Sequence, residues 1–191
     1  MYHHFQFEET RYIAFPLQYG RSFAILNYKS GWRIEAMMRI LFVCHGNICR
    51  SPMAEYVMKG LVKKAGLEKE FQIASAATSR EEIGNPVYPP ARRKLAEHGI
   101  SCGGHAARQL RNDNYEEYDL LIGMDRANLR NMYHICGGDF DEKMHLLMEY
   151  AGHPNQEVAD PWYTGDFEAT WRDVLAGCQG LLKVLVEETV K

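Results

Sequence analysis

In the segment "RILFVC", ending at Cys44, the residues after the arginine form an unbroken apolar run of strand length. A strand with one wet face alternates apolar and polar residues; a continuous run belongs to a strand covered on both faces, as in a parallel sheet. The residues after Cys44 narrow the choice further. "HGNICR" is a short loop, and "SPMAEYVMKGLVKKAG" carries Pro52 at a helix-start position, Met53, Tyr56, Val57, Gly60 and Leu61 near one face, and Gly66 where the helix should stop. Strand, tight loop and helix open a βαβ unit.

The alternation repeats along the chain. "FQIASA" reads as a second strand, "YPPARRKLAEHGI" as a helix entered through prolines, and "YDLLIGM" as a third strand. "DRANLRNMYHI" reads as a short helix starting near Asp125, "MHLLMEY" as a fourth strand, and "DFEATWRDVLAGCQGLLKVLVEETV" as a long amphipathic helix. The expected fold is α/β: one domain with a four-stranded parallel sheet, doubly wound in flavodoxin-like order, with helices on both faces and right-handed crossovers. Ligands of such sheets bind beyond the carboxyl ends of the strands, which is where Cys44 falls.

The chain has 191 residues, enough for one domain with its own core. A formal net charge of −3 offers no basic footprint for nucleic acid, and no apolar run approaches the roughly 20 residues that span a membrane. No secretory-signal pattern opens the chain. The five cysteines are odd in number and lack the close spacing of a disulfide scaffold, which fits a reducing compartment, so a cytoplasmic protein is expected. Residues 1–36 are rich in aromatics and Arg but show no sustained period, and "RYIAFPLQYG" is broken by Pro16 and Gly20. The expected organisation is an N-terminal extension over 1–36, outside the core, and one folded domain over 37–191.

A loop between strand and helix that contains Gly46 and the left-handed-tolerant Asn47 can turn backbone N–H groups inward as an oxyanion nest, reinforced by the helix dipole. His45, Gly46, Asn47, Ile48 and Cys49 would ring the anion, and Arg50 at the rim has the planar fork that holds two phosphate oxygens. Thiols at helix N-termini or beside cations have pKa values lowered from about 8.5 to roughly 3.5–7.5. The loop that binds phosphate therefore also makes Cys44 a nucleophile able to form a cysteinyl-phosphate without a metal or other cofactor. A general acid must come from elsewhere, and "VADPWYTGD" offers Asp160 on the same edge of the sheet. A packed strand end would account for Cys44 alone and a turn for Asp160 alone; the combination of C-x5-R-S, the enclosed Gly and Asn, and the following helix favours catalysis. A zinc site on Cys44, His45 and Cys49 lacks paired C-x2-C spacing and a fourth ligand, and a Walker loop lacks Gly-Lys-Ser/Thr.

"VCHGNICRSPMAE", "DPWY", and between them "SAATS", "EIGNP", "HGI", "HAARQL" and "MDRANL" resemble, in order, segments of the low-molecular-weight protein-tyrosine phosphatase family, from about Arg39 to the C-terminus. The resemblance implies Cys44 as nucleophile, Arg50 as phosphate clamp and Asp160 as general acid. It implies Asn47, Ser51 and His105 as supports of the loop and Cys49 as a redox partner of Cys44. The implied substrates are phosphotyrosine proteins or small aryl phosphates. Arg80 and Glu81 stand where several members carry an aromatic on the cleft wall, so the substrate rim expected here is Glu81, Trp162 and Tyr163. Two alternatives stay open. Arsenate reduction on the same fold needs two further relay cysteines, whereas Cys102, Cys136 and Cys178 are widely separated. Phosphoarginine hydrolysis turns on a small change within the loop, and Ile48 at that position argues for tyrosine.

Overall fold

A computed structural model describes residues 25–28, 31–34 and 37–187. The main sheet consists of β3 (Met38–Cys44), β4 (Phe71–Ala77), β5 (Leu120–Gly123) and β6 (Met144–Leu146), all parallel in the order β4-β3-β5-β6. Relative to chain order within the domain this is the flavodoxin-like arrangement expected from the sequence. Between them and after them lie α1 (Arg50–Lys64), α2 (Pro89–Glu97), α3 (Asn114–Glu117), α4 (Arg126–Cys136), α5 (Leu147–Tyr150), α6 (Pro161–Thr164) and α7 (Phe167–Glu187).

The unbroken apolar run of β3 is explained by its central place. Ile40 and Phe42 pack in a cluster with Met53, Val57 and Met58 of α1 and Val174, Cys178 and Leu181 of α7. Leu41 and Val43 join a second cluster with Met132 and Cys136 of α4 and with Tyr115 and Tyr118. Period-two alternation thus serves two apolar layers from Ile40 onward, and the strand's one polar residue, Arg39, lies near its amino end paired with Asp119. Among the described residues no helix is long and apolar enough to cross a membrane.

Three features depart from the sequence reading. "MHLLMEY" is strand only through Leu146; Leu147–Tyr150 turns into a short helix. Leu147 and Met148 are buried there beneath α7, whose Gly177 and Gly180 let the two segments approach so closely that a Cβ on Gly180 would lie 1.9 Å from the Tyr150 carbonyl oxygen. Second, β1 (Ile25–Tyr28) and β2 (Gly31–Ile34) form a separate antiparallel pair within the segment read as lacking elements, being too short for a periodicity test. "RYIAFPLQYG" lies outside the described residues. Third, α3 and α6 are short helices of four residues that the sequence reading did not anticipate, the second lying where a loop after Asp160 was expected.

Candidate active site

The β3–α1 loop opens at the carboxyl end of the central strand, where the chain crosses to β4 on one side and β5 on the other. This is the switch point at which doubly wound sheets bind ligands. Cys44, His45, Gly46, Ile48, Cys49 and Arg50 line a cleft of about 220 Å³ there, closed on its other sides by Glu81, Glu82, Asp160, Trp162 and Tyr163. Every expected rim residue and the whole expected triad are in one place.

The loop's carbonyls are turned away from the cleft by bonds to the surrounding scaffold. Those of Cys44, His45 and Ile48 accept from the backbone N–H groups of Thr78, Ser79 and Tyr88, and that of Cys49 from Met53. The Asn47 carbonyl oxygen lies 2.8 Å from His105 Nε2. Because a carbonyl can only accept, His105 must carry its proton on Nε2. With these carbonyls held outside, backbone N–H groups are what the loop presents inward, the arrangement of an anion nest.

Asn47 does not line the cleft; it is fully buried behind it, with φ of 57°, in the left-handed region that asparagine tolerates better than most residues. Its side-chain carbonyl accepts from the Arg108 N–H, which fixes the orientation of the amide. The amide nitrogen then donates to Ser51 Oγ at 2.9 Å and Ser75 Oγ at 2.8 Å. Ser75 donates its own proton to the buried Glu55 carboxylate. Ser51 Oγ, having accepted from Asn47, is 3.1 Å from Cys44 Sγ, and the Asn47 N–H points at the same sulfur from 3.3 Å. The Asn47 N–H thus donates to a sulfur that is almost fully buried, with the Ser51 hydroxyl beside it.

Arg50 begins α1 and is also buried, yet both ends of its guanidinium are engaged: Nη1 with Asp125 Oδ2 and Nη2 with Asp160 Oδ2, each at 2.6 Å. Burial lowers its pKa, but the negative charges of Cys44, Asp160 and Asp125 outweigh this and raise it, so the group is a permanent cation. Asp160 caps α6, accepting from the Trp162 N–H at 3.0 Å, which holds one oxygen while the other meets Arg50. Pro161 at the first helical position keeps Asp160 extended, with φ of −89° and ψ of 107°. Burial chiefly, with the charge of Cys44 next, pushes the Cys49 thiol up to about 12, so it stays protonated beside the nucleophile.

On the rim, Trp162 is 60 % exposed and Tyr163 86 %, and Tyr88 lies against Trp162 with ring centroids 5.6 Å apart. His45 Nε2 meets Glu81 Oε2 at 3.1 Å on the facing side. Sequence reasoning missed Asp125, Ser75, Glu55, Glu82 and Arg108 as parts of the site. Asp125 had a usable signal, since it follows β5 at the same sheet edge as Cys44; the others are brought in only by tertiary packing.

The family model described as "Low molecular weight phosphotyrosine protein phosphatase" matches residues 39–191. The low molecular weight protein-tyrosine-phosphatase YfkJ of Bacillus subtilis is 36% identical over 153 residues, covering 80% of this chain and 98% of its own. Its crystal structure superposes with a TM-score of 0.77 over 80% of this chain and 97% of that one. A low molecular weight phosphotyrosine protein phosphatase of Gallus gallus is 37% identical over 148 residues, covering 75% of this chain and 93% of its own. The crystal structure of DARP, a drosophila arginine phosphatase, is similar at 29% identity and a TM-score of 0.72, covering 78% of this chain and 98% of that one. The nest at the switch point and a family match that spans the entire sheet agree, and the chain belongs to the low molecular weight phosphotyrosine protein phosphatase family.

Proposed function

We propose that the protein hydrolyses phosphotyrosine in proteins, and small aryl phosphates, through a phosphocysteine on Cys44. The observation that carries this reading is the convergence of Cys44 Sγ, the Arg50 guanidinium and the Asp160 carboxyl in one cleft, with Arg50 bridging to Asp160. Phosphate oxygens bind the loop amides of His45, Gly46, Ile48 and Cys49 and the Arg50 fork, while the Asn47 N–H stays on the Cys44 sulfur. The Cys44 thiolate attacks phosphorus in line, the P–O bond to the phenol breaks, and Asp160 gives the leaving oxygen its proton. The equatorial charge of that transition state is met by amides and guanidinium already in place. Asp160, now a carboxylate, takes a proton from water; the water oxygen attacks phosphorus, the S–P bond breaks, and inorganic phosphate leaves. Neither metal nor cofactor enters any step. Asn47, Ser51 and His105 act by holding the loop, and Trp162 and Tyr163 flank the aryl group.

A second reading, phosphoarginine as substrate, is supported by the similarity to the drosophila arginine phosphatase. Ile48 in the loop favours tyrosine. We also assign the catalytic unit to 37–191, supported by the family match from residue 39, with 1–36 an added segment. The cytoplasm is the proposed compartment, supported by five free cysteines. Under peroxide, Cys44 would be oxidised to a sulfenic acid that the Cys49 thiol condenses with, releasing water and leaving a protective disulfide.

The test is hydrolysis of p-nitrophenyl phosphate by wild type and Cys44→Ser in EDTA with a reductant, followed by phosphotyrosine and phosphoarginine peptides. Turnover by wild type alone, with phosphotyrosine preferred, supports the reading. Retained turnover in Cys44→Ser, or a phosphoarginine preference, overturns the corresponding part.

A further inference from the structure

The cleft is charged unevenly once phosphate is considered. Among its lining residues Arg50 alone carries a permanent positive charge, and it is committed to phosphate and to Asp125. The outer wall carries two carboxylates, Glu81 and Glu82. Each is tied in place. Glu81 Oε2 meets His45 at 3.1 Å, and Glu82 Oε2 accepts from Asn85 Nδ2 at 2.6 Å. Glu82 also lies directly over the loop: a Cβ built on Gly46 would come within 3.2 Å of its Cγ.

The nearest cation in sequence does not neutralise this wall. Arg80 is turned aside, its Nε donating to Gln109 Oε1 at 2.9 Å, and it does not line the cleft. Among the described residues that line the cleft, His45 is the only partial counter-charge to this wall, and only when it is protonated; Arg126 and Arg130 line the adjoining groove, beyond Asp160 and Tyr163. Trp162 and Tyr163 close the cleft without charge. A phosphorylated side chain seated on the loop therefore meets carboxylates at its rim, and whatever flanks it in the substrate is judged against that field.

Resting on the phosphotyrosine reading above, we infer that Glu81 and Glu82 make this cleft selective for phosphotyrosine sites flanked by Lys or Arg. A flanking cation pairs with the wall, while a flanking Asp or Glu is repelled by it. Both carboxylates are at least partly open to water, Glu81 with 72% of its side chain exposed, so each pair is of the weak surface kind. Attraction of a base and repulsion of an acid, at two carboxylates, together give about a tenfold spread in kcat/KM between basic and acidic peptides at low ionic strength, shrinking as salt screens it.

The experiment measures kcat/KM for three phosphotyrosine peptides that differ only in the flanking residues, Lys, Gln or Glu, with wild type, Glu81→Gln, Glu82→Gln and the double variant. The basic-to-acidic ratio is read within each protein, so any change in basal rate cancels. Expected is a ratio of about ten in wild type, partial loss in each single variant, and a ratio near one in the double variant and at high salt. A wild-type ratio near one, a preference for the acidic peptide, or a ratio unmoved by the double variant overturns the inference. Hydrolysis of the uncharged peptide keeps the phosphotyrosine reading standing in all these cases. If no phosphotyrosine peptide is cut, that reading and this inference fall together.

Discussion

Asn47 is where the shape of the phosphate loop is decided, and its replacement can be worked through in energy. Its side chain takes part in three hydrogen bonds, to Ser51, Ser75 and the Arg108 N–H. Each has a net worth of about 0.5–1.5 kcal/mol. Its φ of 57° is a separate cost: an alanine held there loses a further 1–2 kcal/mol or so. Asn47→Ala should therefore cost about 2.5–6.5 kcal/mol if the loop keeps its form. Asn47→Gly loses the same hydrogen bonds but not the backbone term, and should recover about 1 kcal/mol of the loss. Urea unfolding gives both numbers, and inhibition by phosphate gives the loop's integrity in parallel. Should the loop relax to escape the strain, the stability loss shrinks and phosphate affinity falls instead. The reasoning is refuted if Asn47→Ala keeps both wild-type stability, within about 0.5 kcal/mol, and wild-type phosphate affinity.

Three further outcomes are expected. Asp160→Ala should slow esters with poor leaving groups by about 10²–10⁴-fold while slowing activated aryl phosphates far less, because only the former need the proton; equal slowing in steady-state assays would remove Asp160 as the acid. Gly180→Ala should destabilise by roughly 1–3 kcal/mol in urea unfolding, since the added methyl meets the Tyr150 backbone, although the same change on an exposed helix would stabilise by about 1 kcal/mol. Alkali should weaken the fold: burial chiefly raises the Cys136 thiol to about 11 and the Cys49 thiol to about 12, from an ordinary value of 9.0. Above that ordinary value the unfolded chain sheds these protons first, so stability is intact below about pH 9 and falls through pH 11–12, each thiol steepening the decline by about 1.4 kcal/mol per pH unit. Cys136→Ala should flatten denaturation curves recorded against pH.

Much of this site was legible because it sits where local signals are strong. An apolar run flanked by covering layers names the central strand, and the Gly and Asn of the loop name a turn that can bind an anion. Asp160 was findable from Asp-Pro on the right sheet edge. Glu55 and Ser75 were not, since nothing in "MAEYV" or "IASAA" marks a polar group that folding will bury and connect to Asn47. The fourth strand was overread because Leu147 and Met148 are as apolar as a strand requires, and only the glycines of α7, far along the chain, explain why the chain turns there instead. Glu82 escaped notice for a similar reason: its place over Gly46 depends on how the segment after β4 folds back across the loop.

The central claim is that Cys44 carries the phosphoryl group between the two chemical steps. It is tested most directly by acid-quenching the enzyme during turnover of p-nitrophenyl phosphate and locating the phosphoryl group by mass spectrometry of its peptides. Asp160→Ala would be run alongside to slow breakdown of the intermediate, since its carboxylate is the proposed base for the attacking water. The account predicts phosphate on the Cys44 peptide and on no other, and none in Cys44→Ser. Phosphate on a different residue, or continued hydrolysis by Cys44→Ser, would contradict it.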